Sequence, residues 1–433
     1  MGAADSMYLA MQHATVPNQF GAVLSIETAS GVDVSVLIRT LEKRLTAIPR
    51  MRQRAMRVPW GCGRPVWIDD ASFIPEQHLR HVVCSPLGDE SSLLAIAAGL
   101  LIRPLRVDRP LWSATVVTGL TDGRVALILV VQHALADGIG GLAVLDALVD
   151  GAAAPGTCRT FPLPPPSISH LAADAMLDRL HALTRGVGRI RRALKLTRIG
   201  DHPRIGRAAR CSLTKPAGGD RRLAVTRMRT DDVLSAAHRH DATVNDILLS
   251  AIGGTLGRYL AARGEHPDAV VLGIPVGMRD AATVADMGNR ASEIRVAIPT
   301  AGAPLARLDR VAHTMRVSKR APMGPMTIVI ASVVIRAALA VGIYEWYMHR
   351  QRYLHSVVTN VHGPDRQLTV CGAPVTDILP LAVGGGGNVK MIFAALSYAG
   401  TLAIAVIADP DIMPELAGIT AALDTELHAV LQG

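Results

Sequence analysis

The run VALILVVQ, Val125 to Gln132, constrains the fold more than any other stretch of this chain. It is almost uninterruptedly apolar, so it predicts a β-strand that is buried on both faces. His133 follows the run directly and therefore stands at the C-terminal end of a central strand. That end of the strands is where α/β sheets carry their sites. The sequence thus predicts an α/β protein with a candidate site just after this strand.

Strand and helix signals alternate along the rest of the chain. The first part predicts strands at 21–27 and 111–120, and helices at 34–48, from residue 91 to about Ile102, and at 141–153. The helix near Ile102 should stop there because Pro104 disfavours helical geometry in the residue before it. The second part repeats the rhythm, with strands at 221–229, 269–279, 293–299, 355–364, 391–400 and 401–409 and helices at 243–264, 304–320 and 411–431.

The length of the chain predicts more than one domain. Its 433 residues exceed the ~250–300 residues that a single hydrophobic core usually organises. A proline-rich break, TCRTFPLPPPS, follows the first set of elements. We predict a first α/β unit at residues 1–153, a proline-rich and basic linker at 154–222, and a second α/β unit at 223–433, with a cleft between the two units.

Positive charge is concentrated in one segment. The net charge is +9, and residues 176–222 alone hold thirteen Lys and Arg against three Asp. Such a block can face the phosphates of a lipid headgroup, a nucleic acid or a phosphorylated cofactor, or it can be a solvated basic helix and loop. The segment has no aromatic residue for base stacking, which weighs against single-stranded nucleic acid. We expect an anionic membrane surface as a partner and no nucleic acid.

The cysteines, the N-terminus and one apolar stretch indicate where in the cell the protein acts. Five cysteines, an odd number with no CxxC pair, suggest neither a disulfide framework nor a metal knuckle. The N-terminus has no basic-then-apolar signal peptide. The apolar stretch Met326 to Ile343 could span a bilayer by length, but Arg336 interrupts it, so a buried or membrane-surface helix is favoured. We predict a cytoplasmic protein that associates peripherally with a membrane surface.

His133 has two interpretations when its own segment is considered alone. A histidine at a strand end can take a proton from a hydroxyl or thiol near neutral pH, or it can be a structural core residue. Gly138 permits a tight backbone, and Asp137 could fix the loop through a buried hydrogen bond or an arginine pair. Asn245 and Asp246 begin a predicted helix, where both are ordinary capping residues.

Motifs elsewhere in the chain favour the catalytic interpretation. QHALADG resembles HHxxxDG, the active-site motif of acyltransferases with the chloramphenicol acetyltransferase-like fold, and departs from it at Gln132. DSMYLAMQ and PLRVDRPLWS resemble motifs of the bacterial wax ester synthase/diacylglycerol acyltransferase family, with Ser113 in place of a Glu. Further similar segments follow in the family's order: the ND pair at Asn245 and Asp246, IPVGMRD, MGNRASEIRVAIP with Asn289, and NVHGP with Asn360 and His362.

The resemblance implies a fold and an activity. The fold would be α/β, with two chloramphenicol acetyltransferase-like subdomains, mixed sheets, and a cleft or tunnel between them. The activity would be transfer of a fatty acyl group from acyl-CoA to a lipid hydroxyl, giving triacylglycerol or a wax ester. His133 would be the general base, with Asp137 and Gly138 supporting its loop and Asn245 contacting the oxyanion or the acceptor.

The resemblance also implies which residues contact substrate, and it leaves two alternative functions open. Gln132, Asp246, Asn289 and Asn360 would contact substrate. No bound cofactor or metal is implied, and acyl-CoA would be the co-substrate beside diacylglycerol or a fatty alcohol. The protein would associate peripherally with the inner face of the plasma membrane or with lipid droplets, that is, with an anionic membrane or lipid-droplet surface. The departures at Gln132, Ser113 and His362 keep open a lipid-binding protein with weakened catalysis. An acyltransferase for another alcohol, such as a glycolipid, is a further alternative.

Overall fold

The structure is a computed structural model that describes most of the chain. The described residues are 1–13, 16–28, 33–59, 61–84, 87–121, 123–151, 160–181, 206–277, 291–319, 325–384, 387–411 and 415–433. Much of the predicted basic linker lies outside these ranges, as do Arg279, Gly288 and Asn289 of the motif segments.

Strands and helices alternate largely as the sequence predicts. The strands are β1 (Gln19–Ile26), β2 (Gln53–Met56), β3 (Val66–Asp69), β4 (Leu79–Val83), β5 (Trp112–Thr118), β6 (Val125–Gln132), β7 (Arg222–Arg229), β8 (Ala269–Gly277), β9 (Ala291–Pro299), β10 (Ser356–His362), β11 (Thr369–Val370), β12 (Ala373–Val383), β13 (Met391–Tyr398) and β14 (Thr401–Ala408). The helices are α1 (Ala3–Ala10), α2 (Val34–Ala47), α3 (Glu90–Leu101), α4 (Gly138–Leu148), α5 (168–181), α6 (Thr230–Arg239), α7 (Val244–Ala261), α8 (Pro304–Lys319), α9 (Pro325–Ala340), α10 (Tyr344–Met348) and α11 (Leu416–Gln432).

Two mixed sheets of six strands organise these elements. The first has the order β11-β12-β1-β6-β5-β4, and the second has the order β7-β14-β13-β10-β8-β9. Parallel pairs, β4 with β5 and β10 with β8 and β13, occur beside antiparallel ones. The predicted α/β class with mixed sheets is confirmed.

Strand β6 is buried on both faces, as its composition predicts. All eight of its residues are buried. Leu127 and Leu129 face a core that includes Leu37 and Leu41 of α2. Ile128 and Val130 face the opposite way, into a core shared with strands of the second sheet, among them Ile392 and Ala405. Because side chains alternate along a strand, β6 joins a helix layer to the interface between the halves.

One strand from the second half of the sequence joins the sheet of the first half, which the sequence pattern did not predict. Strand β12 lies late in the sequence but pairs along its length with β1 of the first sheet, from Gln19↔Val383 to Ile26↔Val375. The segment predicted as 223–433 therefore contributes a strand to the first sheet. Arg227 of β7 adds a polar contact between the halves, reaching Glu90 of α3 and Asp377 of β12. The boundaries at residues 153 and 222 stay predictions.

Strands β8 and β10 part inside the second sheet. They pair in parallel only at Ser356↔Leu272 and Val357↔Gly273, although β8 continues to Gly277 and β10 continues to His362. Beyond Val357, β10 stays paired with β13 on its other side. The free stretches of β8 and β10 therefore flank a gap in the sheet.

The described end of α9 lies on the surface. Val333, Val334 and Arg336 are exposed, so this part of the 326–343 stretch is not a buried core helix. Among the described residues, none of the helices is both long enough and apolar enough to cross a membrane. Helix α9 packs against α1, and a small core between them includes Met11 and Tyr344.

Candidate functional site

His133 lies in the turn between β6 and α4, between two aromatic rings. The ring of Tyr8 from α1 stacks on it at a centroid distance of 5.2 Å, and the ring of Phe20 from β1 lies at 4.7 Å. Gly141 of α4 makes room for Phe20, because a Cβ there would stand 2.7 Å from Phe20 Cε2. The imidazole is thus held in place mainly by ring contacts.

Burial keeps the imidazole of His133 neutral. Desolvation lowers its pKa from 6.5 to about 4, and the Asp137 carboxylate opposes this only in part. His133 Nδ1 is buried and, in the part of the chain that the structure describes, has no hydrogen-bond partner. The residue as a whole is only half-buried, so its exposed part excludes Nδ1. A neutral imidazole carries one ring nitrogen with a free lone pair, and that nitrogen can accept a proton.

Gln132, which replaces the first histidine of the motif, ties the motif loop to α1. Its side chain is fully buried. Its Nε2 donates to the carbonyl oxygen of Tyr8 at 2.9 Å, and its Oε1 accepts from the backbone N–H of Ala134. These contacts fix the helix that carries Tyr8 relative to the loop that carries His133. They give Gln132 a structural role and leave its predicted substrate contact a proposal.

Asp137 and Gly138 shape the start of α4. Asp137 is the N-cap residue, and its Oδ1 accepts from the backbone N–H of Gly140 at 2.9 Å. This cap explains why α4 begins at Gly138, three residues earlier than the sequence pattern predicts. A Cβ on Gly138 would lie 3.4 Å from Val361 Cγ2. The motif loop therefore abuts β10 of the second half.

Two other motif segments adjoin the loop. In DSMYLAMQ, Asp5 Oδ2 accepts from the backbone N–H of Gly2 at 2.9 Å and so helps to start α1, which presents Tyr8. In PLRVDRPLWS, the carbonyl oxygen of Leu111 accepts from the backbone N–H of Gln132 at 3.1 Å. Trp112 is buried in the core and donates to the carbonyl oxygen of Met51 at 2.7 Å.

The NVHGP segment forms the end of β10 beside the gap. Asn360 is exposed, and its neighbour Val361 contacts Gly138. His362 Nδ1 and Ser397 Oγ are 2.9 Å apart, which links the end of β10 to β13. Because side chains alternate along a strand, Asn360 points to the face opposite Val361, away from the His133 loop, and its predicted substrate contact stays a proposal.

The predicted ND pair lies at the start of α7. Asp246 closes a capping box with Thr243: its Oδ2 accepts from the backbone N–H and from the hydroxyl of Thr243, at 2.9 and 2.7 Å. Asn245, next to it, is half-buried. The hydrogen bonds of Asp246 thus fold back on Thr243 at the start of the same helix. The oxyanion role of Asn245 and the substrate role of Asp246 remain proposals, and Asn289 lies outside the described residues.

The aromatic neighbours of His133 were not predicted as site residues. Tyr8 stands within the DSMYLAMQ motif, so the motif itself was the available signal. Phe20 carries no motif and is recognisable only from the pairing of β1 with β6, which places Phe20 opposite Val131. His78, in contrast, is a packing residue, since its ring stacks on Trp112 at 4.7 Å.

Comparison with protein families covers most of the chain. Residues 1–248 match the wax ester synthase/diacylglycerol acyltransferase catalytic domain, and residues 287–430 match the C-terminal domain of the same family. A probable diacylglycerol O-acyltransferase of Mycobacterium tuberculosis is 27% identical over 91% of this chain and 87% of its own length. A putative one of Mycobacterium bovis matches with the same identity and coverage.

Solved structures share the fold. The wax ester synthase/diacylglycerol acyltransferase of Marinobacter aquaeolei superposes with a TM-score of 0.70 at 20% identity, over 98% of this chain and 97% of that one. The first condensation domain of the CDA synthetase gives 0.61 at 18% identity, over 100% and 95%. These matches confirm the predicted chloramphenicol acetyltransferase-like architecture. With both of its family domains matched in order, the chain belongs to the wax ester synthase/diacylglycerol acyltransferase family and is an acyltransferase.

Proposed function

We propose that the protein transfers a fatty acyl group from acyl-CoA to the hydroxyl of a lipid, with diacylglycerol as first acceptor and a long-chain alcohol as second. The observation that carries this is the His133 imidazole, which is neutral and half-buried and has its Nδ1 covered. It lies at the junction of the two halves, and its loop contacts β10 beside the gap between β8 and β10.

The imidazole acts as general base through Nε2. The acceptor hydroxyl gives its proton to Nε2 while its oxygen forms a bond to the thioester carbonyl carbon. The tetrahedral intermediate then collapses, the C–S bond breaks, and the imidazolium returns the proton to the leaving CoA thiolate. The products are an ester and free CoA, and no covalent acyl-enzyme is needed.

The test compares two histidine variants with labelled acyl-CoA and either diacylglycerol or hexadecanol. We expect His133→Ala to lower turnover at least ~100-fold with both acceptors, the usual contribution of a general base. His81→Ala is the matched control, because His81 is exposed and bonds only Thr118 in the structure. Ester formation by His133→Ala at the wild-type rate would refute the proposal.

We also propose that the face formed by the end of α9 and by α10 rests on a lipid surface. Its exposed apolar side chains are Val333, Val334, Val341, Ile343, Trp346 and Tyr347, and Arg336 and Arg350 stand exposed among them. Exposed apolar residues interleaved with arginine suit the boundary between anionic headgroups and acyl chains. Tyr344 connects this face to the site, since its hydroxyl donates to Met11 Sδ at 3.2 Å, just after the helix that carries Tyr8.

A further inference from the structure

A carboxyl group lies on the face of β9 that looks toward the other half of the molecule. Ile294, Val296 and Ile298 of this strand are buried in the core of the second half. Because side chains alternate along a strand, Glu293 and Arg295 lie on the opposite face. On that face the neighbouring Val271 and Leu354 belong to the core shared by both halves. A charged group is costly in such surroundings unless it is paired and hydrogen-bonded.

Glu293 occupies the place where β8 and β10 part. Its carboxylate covers Gly273: a Cβ on that glycine would lie 3.1 Å from Glu293 Oε1 and 2.9 Å from Leu354 Cδ2. Gly273 is also the last residue of β8 that pairs with β10. The carboxyl group is therefore placed at the end of the gap whose far side, at Val361, meets the His133 loop.

The positive charge of Arg295 only partly compensates the cost of burying the Glu293 carboxylate. Arg295 directs its guanidinium to Tyr353, donating to the Tyr353 carbonyl oxygen at 3.0 Å and lying 3.9 Å from the centre of the ring. Burial raises the pKa of Glu293 from 4.5 to about 7, and the charge of Arg295 lowers it only in part. At neutral pH this carboxyl group is protonated in a large fraction of molecules, so it can donate a hydrogen bond as well as accept one.

Tyr353 extends the cluster toward the surface. It is partly exposed, and the charges of both Glu293 and Arg295 act on its hydroxyl, as does neighbouring Tyr347 of the exposed α10 face. Tyr347, Tyr353, Arg295 and Glu293 therefore form a row of polar groups from the α10 face to the gap between β8 and β10. The residues around this row are otherwise apolar.

We propose that Glu293, set over Gly273 where β8 and β10 part, forms with Arg295 a subsite for the polar head of the acceptor lipid. Its ligand is a glyceride that carries ester carbonyls beside its free hydroxyl. The carboxyl group of Glu293 and the guanidinium of Arg295 donate to these carbonyls and so hold the hydroxyl toward His133. The inference rests on the proposed acyl transfer and names the feature of the acceptor that is recognised. Glu293 is a positioning residue, since the proton is removed by His133.

Steady-state kinetics with two acceptors test the subsite. Dioleoylglycerol has ester carbonyls, whereas hexadecanol has none. We expect Glu293→Leu to raise KM for dioleoylglycerol about tenfold, the loss expected for one or two hydrogen bonds, and to leave KM for hexadecanol within about twofold. Glu293→Gln keeps a donor and should stay near wild type with both acceptors. Asp268→Asn, at the exposed start of the same β8–β9 pair, is the matched control.

The outcomes separate this inference from the proposed function. If Glu293→Leu changes KM equally for both acceptors, or for neither, the subsite is refuted while acyl transfer stands. A matching defect in Glu293→Gln would also refute it, because the amide retains the proposed hydrogen bonds. If His133→Ala still esterifies hexadecanol at the wild-type rate, the proposed function itself fails, whatever Glu293 does.

Discussion

The imidazole of His133 should set an unusual acid limit for activity. Its pKa of about 4 in the folded protein lies well below the ordinary 6.5, so the base is already unprotonated at pH 6. We expect kcat/KM to stay nearly flat from pH 7 to pH 5 and to fall to half near pH 4, since this parameter reports the free enzyme. The measurement is a pH profile of initial rates with hexadecanol, which has no ester groups for Glu293 to bind.

Stability must be followed in parallel, because the same shift affects folding. Between pH 6.5 and 4 the unfolded chain binds a proton at this histidine that the folded protein does not, so the free energy of unfolding falls as the pH is lowered. Circular dichroism at each pH shows whether the protein is still folded. A half-maximal kcat/KM near pH 6.5 in folded protein would contradict a desolvated base.

Single residues show how far the sequence alone could go. His133 and Asp137 could be selected as candidates from the sequence, because a polar motif directly follows an almost uninterruptedly apolar strand. The role of Gln132 was not, since its partners, the Tyr8 carbonyl oxygen and the Ala134 amide, lie on a distant helix and in a turn. Glu293 was not recognisable either. It stands in a strand with an ordinary alternating pattern. Its position becomes notable only in the structure, where it lies at the point at which β8 and β10 separate.

At the scale of elements, a cluster of three charged residues joins three helices of the second half. Glu426 of α11 contacts Arg307 of α8, and both side chains are almost fully buried. Glu426 also contacts Arg258 of α7, at 2.7 Å, but that arginine is largely exposed. We expect Glu426→Ala to lower the free energy of unfolding by about 3–5 kcal/mol, because it leaves the charge of Arg307 buried without its carboxylate.

Arg258→Ala is the matched comparison within the same cluster. It removes only the exposed partner, so its cost should stay below about 1 kcal/mol. Urea unfolding followed by circular dichroism measures both variants. Equal losses for the two would show that burial of Arg307 does not determine the energy of the cluster.

Local sequence predicted most elements but not their assembly. Helix α2 and strands β6 to β8 could be predicted because each carries its own apolar periodicity or run. Strand β12 was missed: its sequence, APVTDILPLAV, contains two prolines and follows no simple alternation. Its place beside β1 depends on pairing across about 350 residues, and no local pattern encodes a partner at that distance.

For the whole molecule, family motifs carried the prediction further than composition did. Apolar content and positive charge fit an acyl-lipid enzyme without naming one, whereas ordered motifs from Asp5 to the second half implied the architecture that the structure shows. The motifs said nothing of the surface, because the exposed residues of α9 and α10 belong to none of them. The orientation of the molecule on a lipid surface must therefore be argued from the exposed residues themselves.

Trp346 and Tyr347 should dominate attachment to that surface. Trp346 is 61% exposed and Tyr347 54%, and amphipathic rings of this kind favour the headgroup boundary. We expect Trp346→Ala/Tyr347→Ala to weaken binding to vesicles of phosphatidylcholine, phosphatidylglycerol and diacylglycerol about tenfold or more, measured by flotation. The exposed residues Val83 and Leu87, in and just after the edge strand β4, provide a matched control as Val83→Ala/Leu87→Ala. Because Arg336 and Arg350 lie on the same face, wild-type binding should also fall as salt rises. Equal loss in both double variants would show that general surface apolarity, and not the α9–α10 face, binds the vesicle.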